Sequence, residues 1–84
     1  NLFLFDILHT APPIPGVPEA LVDLNRSIYD YAAALGAKKY PISSIPFSPS
    51  DWVAHYGERW PEVVALKNEY DPDNVLTPGQ GIFP

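Results

Sequence analysis

Eleven prolines divide this 84-residue chain into short segments. Each proline lacks a backbone N–H donor, and it restricts the residue before it to extended conformations. So many prolines prevent regular structure from running uninterrupted through the chain. The sequence therefore predicts several short elements joined by proline-containing connections.

Residues 2–9, Leu-Phe-Leu-Phe-Asp-Ile-Leu-His, are aliphatic and aromatic with a single acidic interruption. This pattern predicts a β-strand covered on both faces. We find no second strong strand in the sequence, and a lone strand is not stable in water. We therefore expect its partner strands to lie outside this chain, which would make the chain part of something larger.

Residues 11–18, Ala-Pro-Pro-Ile-Pro-Gly-Val-Pro, predict an extended connection. The favoured interpretation is a linker from the strand to the first helix, because Ile14 and Val17 are apolar. The alternative is a small proline-rich interaction module that binds an aromatic groove such as an SH3 or WW domain.

The first helix is predicted between Pro18 and Leu35 and ends at Gly36, which suits a left-handed stop. Apolar side chains recur at the spacing of one buried face. This face comprises Leu21, Leu24, Ile28, Tyr31, Ala32 and Leu35, and the opposite face carries Asn25, Arg26, Asp30 and Ala33. We expect the apolar face to lie on the sheet.

Two shorter helices follow. Ser48 and Asp51 form an S-x-x-D capping box at the start of the second helix, which Gly57 ends. The third begins near Trp60 and stops at Asp71, which precedes a proline. The predicted fold class is therefore α+β, with one sheet strand plus about three helices.

Charge and composition exclude several functions. Ten acidic and five scattered basic residues give a net charge of −5, which argues against a nucleic-acid partner. No apolar stretch approaches the length of a membrane span. There is no cysteine, and neither His9 nor His55 has neighbours at metal-ligand spacing, so we interpret both as structural and predict no metal site. We also find no nucleophile–His–acid set, and we predict no catalytic residue in this segment.

The C-terminal tail has the pattern of a packed chain end. A Tyr-Asp-Pro stop at 70–72 precedes a Thr-Pro-Gly-Gln turn at 77–80, and the apolar pair Ile82 and Phe83 follows. Loose chain ends lack such an apolar anchor. We therefore expect the tail to be docked on a folded surface.

These motifs, taken in order, resemble the C-terminal part of the cytokinin dehydrogenases, FAD enzymes of the vanillyl-alcohol-oxidase type. The resemblance covers nearly the whole chain, and the set of motifs is more specific than any one of them. The matching segments are Thr10-Ala11-Pro12, Asn25-Arg26, Lys38-Lys39-Tyr40, Asp-Trp-Val-Ala-His-Tyr-Gly at 51–57, Arg59-Trp60, Lys-Asn-Glu-Tyr-Asp-Pro at 67–72, and Leu-Thr-Pro-Gly-Gln-Gly-Ile-Phe at 76–83.

The resemblance implies a domain organisation and a cofactor. Residues 1–75 would be the C-terminal part of a substrate domain, and residues 76–84 a tail that returns to an FAD-binding domain. By matching position, Tyr40, Thr77 and Gln80 would contact FAD. The family's flavin-linking histidine and catalytic aspartate have no counterpart in this chain, so the remainder of the flavoenzyme is an implied partner.

The resemblance also implies a reaction: hydride transfer from the carbon beside a secondary amine to the flavin, with an N6-substituted adenine (a cytokinin) as the small-molecule substrate. One departure concerns the substrate. The family has leucine near the substrate where this chain has Pro41, followed by a proline-rich loop. An FAD-linked oxidase or dehydrogenase acting on another amine or alcohol therefore remains an alternative.

Overall fold

The computed structural model describes residues 2–76 and 80–83, in which the regular structure is three α-helices and a single 3₁₀ turn. α1 spans Val17–Ala34, α2 spans Pro49–Tyr56, and α3 spans Trp60–Tyr70. The 3₁₀ turn, Gly57–Arg59, joins α2 directly to α3. The three predicted helices are thus confirmed, while the turn between the second and third was not foreseen.

The predicted β-strand over residues 2–9 is not formed in the described part of the chain. These residues have no regular structure and are exposed, with Leu2 fully exposed and Phe5 86% exposed. The physical reason is that a strand needs a hydrogen-bonded neighbour, and the described residues offer none. What the structure supports is therefore a helical unit with an apolar N-terminal arm, which we define as residues 2–9.

The proline-rich connection is folded into turns, which corrects the prediction of an extended linker. The Ile14 N–H donates to the Pro12 carbonyl at 2.7 Å, and the Val17 N–H donates to the Ile14 carbonyl at 3.1 Å. Pro15 and Gly16 occupy the centre of the second turn, and Gly16 has φ 88° and ψ −19°. These angles fit the third position of a type II turn, which glycine adopts without steric cost. The turn leads straight into α1.

The helix ends follow the local sequence. Gly36, with φ 90°, lies just past α1, where its N–H donates to the Ala33 carbonyl. At α2 the capping box is complete: the Asp51 N–H donates to Ser48 Oγ, and the Ser48 N–H donates to the Asp51 carboxylate at 2.8 Å. Both signals are local, which is why the sequence predicted them.

The core is a row of aromatic rings rather than a layer of aliphatic side chains. Successive ring centroids lie 4.8 to 6.1 Å apart. We call this the aromatic row; its members in spatial order are Tyr29, Phe47, Trp52, Tyr56, Trp60 and Phe83. Trp52, at its centre, is fully buried. The row connects α1 to α2, to α3 and to the tail.

The apolar face predicted for α1 is only partly covered, since Leu21, Ile28 and Ala32 are half-buried. Leu24, Tyr31 and Leu35 are 45%, 73% and 74% exposed. The helix also packs through its other side, where Tyr29 meets Phe47 and Arg26 reaches α2. The spacing correctly identified an apolar stripe, but within the described residues no sheet is present to cover it. Among those residues, no helix has the length and apolar character to span a membrane.

Candidate functional site

An open cleft lies where α1, the loop before α2 and the C-terminal tail meet. Val22, residues 43–47 and Gln80 line it, and its cavity volume is about 340 Å³. This volume is at the lower end of the range for small-molecule sites. The Ser43 hydroxyl is buried and has no hydrogen-bond partner among the described residues.

The tail is held in the cleft by a buried tryptophan. The Trp52 Nε1–H donates to the Gln80 carbonyl at 2.9 Å, and Phe83 stacks on Trp60 with 5.5 Å between centroids. Gln80 and its neighbours up to Phe83 are half-buried. The prediction of a docked tail is therefore confirmed for residues 80–83. Because Trp52 holds the Gln80 backbone, the position of the Gln80 side chain beside the cleft depends on α2.

Arg26 ties α1 to the loop and to α2. Its Nη1 and Nη2 groups donate to the two carboxylate oxygens of Asp51 at 2.9 and 3.0 Å, and Nη1 also donates to the Pro46 carbonyl at 2.9 Å. This bidentate geometry gives Arg pairs their directionality. Hydrogen bonding to Arg26, followed by that to the Ser48 N–H, holds the pKa of Asp51 well below its usual range. Arg26 was predicted on the face of α1 opposite the apolar stripe, and this is the face that contacts α2.

Lys39 is buried next to the cleft wall, with 6% of its surface exposed. Its Nζ lies 4.3 Å from the centroid of the Phe47 ring and 4.5 Å from that of Trp52. It also donates to the Ile45 carbonyl at 3.3 Å. Burial, followed by the nearby charge of Arg26, lowers the pKa of Lys39. The ammonium is stabilised mainly by aromatic faces, an arrangement that gains strength with desolvation.

His55 belongs to the same packed region. Its ring lies edge-on to Phe47, Trp52 and Tyr56, and only 8% of the residue is exposed. Burial, followed by the charges of Lys38 and Lys39, lowers its pKa. An imidazole packed among three aromatic rings agrees with the structural role expected for His55. His9 is exposed in the N-terminal arm, away from the cleft lining.

Asp71 fixes the point at which the tail leaves α3. Its carboxylate accepts hydrogen bonds from the N–H groups of Val75 and Leu76 at 2.8 and 3.2 Å and pairs with Lys67. The bond from Lys67, together with those two N–H groups, lowers the pKa of Asp71. The side chain therefore closes the turn at 71–76, as an aspartate commonly does where a helix has ended.

Of the residues predicted from the sequence to contact a ligand, some line the cleft and others do not. Gln80 lines the cleft, and Thr77 lies outside the described residues. Tyr40 is 62% exposed and Pro41 is half-buried, and neither lines the cleft itself. Both belong to the segment that runs directly into the cleft wall at 43–47.

The sequence did not reveal what Arg26 and Lys39 do at the cleft, although both stand in motifs quoted above. They contact a residue far along the chain or backbone carbonyls, which no local spacing reveals. The capping-box pattern did identify Asp51 as a helix cap, but it did not predict that Asp51 also accepts hydrogen bonds from Arg26. In the described ranges, no group of three or more His, Asp or Glu side chains is arranged to hold a metal.

Comparison with known proteins gives a family match over nearly the whole chain. Residues 2–83 match the family model described as cytokinin dehydrogenase 1, FAD and cytokinin binding. The chain is 36% identical over 88 residues to cytokinin dehydrogenase 3 of Oryza sativa subsp. japonica, and 42% identical over 69 residues to cytokinin dehydrogenase 5 of the same plant. It is also 35% identical over 79 residues to an uncharacterized oxidoreductase, ORF5 in the fasciation locus, of Rhodococcoides fascians.

These matches cover most of this chain but a small part of each relative. The match to cytokinin dehydrogenase 3 covers 99% of this chain and 16% of that relative, and the match to cytokinin dehydrogenase 5 covers 77% and 12%. The match to the Rhodococcoides fascians oxidoreductase covers 94% of this chain and 18% of that relative. The chain thus spans less than a fifth of the length of these relatives. No solved structure matches it.

Proposed function

Because this chain belongs to the cytokinin dehydrogenase family, we propose that it forms part of a longer FAD-dependent oxidoreductase. In this proposal residues 1–75 are the C-terminal part of the substrate domain, and residues 76–84 are a tail that contacts the FAD-binding domain. The observation that carries the proposal is the docking of Gln80 in the cleft, held by Trp52.

The lining of the cleft suits a flat, polar-edged cofactor. Gln80 lines the cleft, and its side-chain amide has both a donor and an acceptor. Phe47 gives the cleft an aromatic wall. FAD presents ring, ribityl and pyrophosphate edges that need such partners, so these groups fit it. Thr77 and Tyr40 are proposed to add further contacts.

The chemistry of this proposal belongs to the cofactor, which when bound supplies the hydride acceptor for oxidation of a carbon beside an amine. The residues of this chain are proposed to orient and enclose the cofactor and the substrate. None of them is proposed as the base that accepts the substrate's proton. The proposed substrate is an N6-substituted adenine, and Pro41 is proposed to lie near it. The runner-up is an oxidase or dehydrogenase of another amine or alcohol, which the cleft would serve equally well.

The N-terminal arm and the bare face of α1 support a larger protein. The arm is apolar and exposed, and Leu35 and Tyr31 on α1 are more than 70% exposed. Large apolar surfaces of this kind mark contacts with other parts of a protein. We propose that the arm adds a strand to a sheet of the substrate domain and that α1 packs on that sheet. The alternative of a proline-rich interaction module has less support, because residues 12–17 form hydrogen-bonded turns rather than an open polyproline helix.

The test is to purify the full-length protein, record its visible absorption spectrum and add a cytokinin without an electron acceptor. A flavin spectrum that bleaches on addition of the cytokinin is expected. A colourless protein would refute the flavoenzyme, and a flavin that bleaches only with another amine or alcohol would favour the runner-up.

A second experiment concerns Gln80. The Gln80→Ala substitution in the full-length enzyme removes one set of hydrogen bonds and is expected to weaken flavin binding by about 3- to 10-fold. Asn68→Ala, which removes an exposed amide from α3, is the matched control and should change nothing. Wild-type flavin retention and turnover in Gln80→Ala would remove Gln80 from the site.

A further inference from the structure

The burial of Lys39 is the least expected feature of the cleft region. Lysine is almost never fully buried unless it is paired with a carboxylate. The ion pairs among the described residues involve Arg26, Arg59 and Lys67, and none of them includes Lys39. Its ammonium has instead two aromatic faces, those of Phe47 and Trp52, and one backbone carbonyl, that of Ile45.

These contacts join two sides of the cleft region. The bond from Lys39 to the Ile45 carbonyl closes the loop that carries Tyr40 and Pro41 and whose last part forms the cleft wall. The indole that faces the Lys39 ammonium is also the one whose Nε1–H holds the Gln80 carbonyl. One buried charge therefore connects the loop to the tail through a single ring.

The direction of the neighbouring side chain follows from this anchor. Lys39 is 6% exposed and Tyr40 is 62% exposed, so consecutive side chains point in opposite directions, inward and outward. Since Pro41 restricts Tyr40 to extended backbone, fixing Lys39 also fixes the side of the loop from which the Tyr40 side chain leaves the backbone. A shift of the ammonium would be transmitted to Tyr40 and to the cleft wall together.

We propose that Lys39 is a positioning residue. Its ammonium, which lies against the Phe47 and Trp52 rings, fixes the loop that carries Tyr40 relative to the tail that carries Gln80. Both side chains can then contact the flavin at the same time. This inference rests on the proposed function and deepens it. The role requires a positive charge between two rings, so arginine should replace it and a neutral side chain of similar length should not.

The test compares variants of the full-length enzyme. Lys39→Met keeps the length and loses the charge, whereas Lys39→Arg keeps a cation that interacts with aromatic faces. Arg59→Met is the matched control, because it removes one positive charge from a side chain that is 77% exposed. The readouts are the flavin visible spectrum, kcat and KM, and the near-ultraviolet circular dichroism of the tryptophans.

For Lys39→Met we expect kcat to fall by roughly 3- to 10-fold, the contribution of a desolvated cation–π contact. The flavin spectrum and the tryptophan signal should shift with it, while the far-ultraviolet spectrum stays native. Lys39→Arg should restore at least half of the activity, and Arg59→Met should be unchanged. A Lys39→Met enzyme with wild-type kcat and flavin spectrum, or a Lys39→Arg enzyme as impaired as Lys39→Met, would overturn the proposal.

Two further outcomes are decisive. If Lys39→Met does not fold, Lys39→Gln, which retains a donor for the Ile45 carbonyl, replaces it with the same criteria. If neither neutral variant folds, Lys39 is required for stability and the positioning role is wrong. A wild-type protein without flavin would refute the proposed function itself, whereas wild-type flavin with an unaffected Lys39→Met variant refutes only the role of Lys39.

Discussion

Asp51 combines two roles in one carboxylate. It completes the capping box of α2 with Ser48, and it accepts the bidentate bonds of Arg26 from α1. A side chain that both starts a helix and ties that helix to another couples local and long-range structure. Loss of the Asp51 charge should therefore weaken the contact between α1 and α2 as well as the start of α2.

The Asp51→Asn substitution in the full-length enzyme should lower the free energy of unfolding by roughly 1 to 3 kcal/mol, the range for hydrogen bonds to charged groups. Glu62→Gln is the control. It breaks the pair with Arg59, in which Glu62 is 54% exposed, and should cost less than about 1 kcal/mol. Denaturant titrations of both variants provide the measurement, and equal losses would contradict the role assigned to Arg26 and Asp51.

The same pair makes stability depend on pH. Because the folded-state pKa of Asp51 is depressed, the stabilisation is complete above the unfolded-state pKa near 4 and disappears as the pH falls towards the folded-state value. The melting temperature of the wild type should thus drop faster below pH 4 than that of Asp51→Asn. Parallel curves for the two proteins would show that this carboxylate does not titrate as described.

At the scale of elements, the helices were predictable from the sequence, but the surfaces on which they pack were not. The capping box at Ser48 and the glycine after α1 act within a few residues, so the sequence displays them. The contact from Arg26 to α2 spans 25 positions and depends on how the chain folds back. The apolar stripe of α1 was recognised by its period, but a period does not reveal whether the surface that covers it lies in the same chain.

The cleft shows the same division. Gln80, which lines the cleft, stood in a motif that the resemblance singled out. The burial of Ser43 and Lys39 was not predicted, because a serine in a loop and one lysine of a Lys-Lys pair are ordinary surface residues by sequence. Only the folded chain shows that Lys39 is buried between two aromatic rings and a backbone carbonyl. The order of the motifs thus indicated the family, but not which side chains are buried beside the cleft.

The turn after α3 gives a prediction about the tail. Asp71 holds the N–H groups of Val75 and Leu76, so Asp71→Ala should release the start of the tail while leaving α3 in place. Hydrogen exchange of these two amides should accelerate by about 3- to 10-fold. Asp73→Ala, an exposed carboxylate in the same turn, is the control. Equal exchange in both variants would mean that Asp71 does not close the turn.

At the scale of the molecule, the chain is more expanded than a folded domain of its length. Its radius of gyration is 15.0 Å, against roughly 12 Å expected for a compact domain of this size. The exposed N-terminal arm accounts for part of the difference, and the bare face of α1 leaves further apolar surface in water. A unit of this kind gains stability from whatever covers these surfaces.

The exposed arm therefore gives a prediction in which one substitution affects stability differently in the isolated chain and in the full-length enzyme. Phe5 is 86% exposed in this chain, so Phe5→Ser should leave the isolated 84 residues no less stable and make them more soluble. In the full-length enzyme, where we propose that the arm is a sheet strand covered on both faces, the same substitution should cost about 3 to 5 kcal/mol, as removal of a buried phenylalanine does.

The two settings control each other, because the substitution is identical and only the surroundings of residues 2–9 differ. Solubility and thermal melting of the isolated chain, and denaturant unfolding of the full-length enzyme, provide the measurements. If Phe5→Ser were harmless in both, the arm would not be a buried strand, and the proposed packing of α1 on the sheet would lose its main support. If it destabilised the isolated chain as well, the arm would already be packed against these helices, contrary to its exposure in the structure.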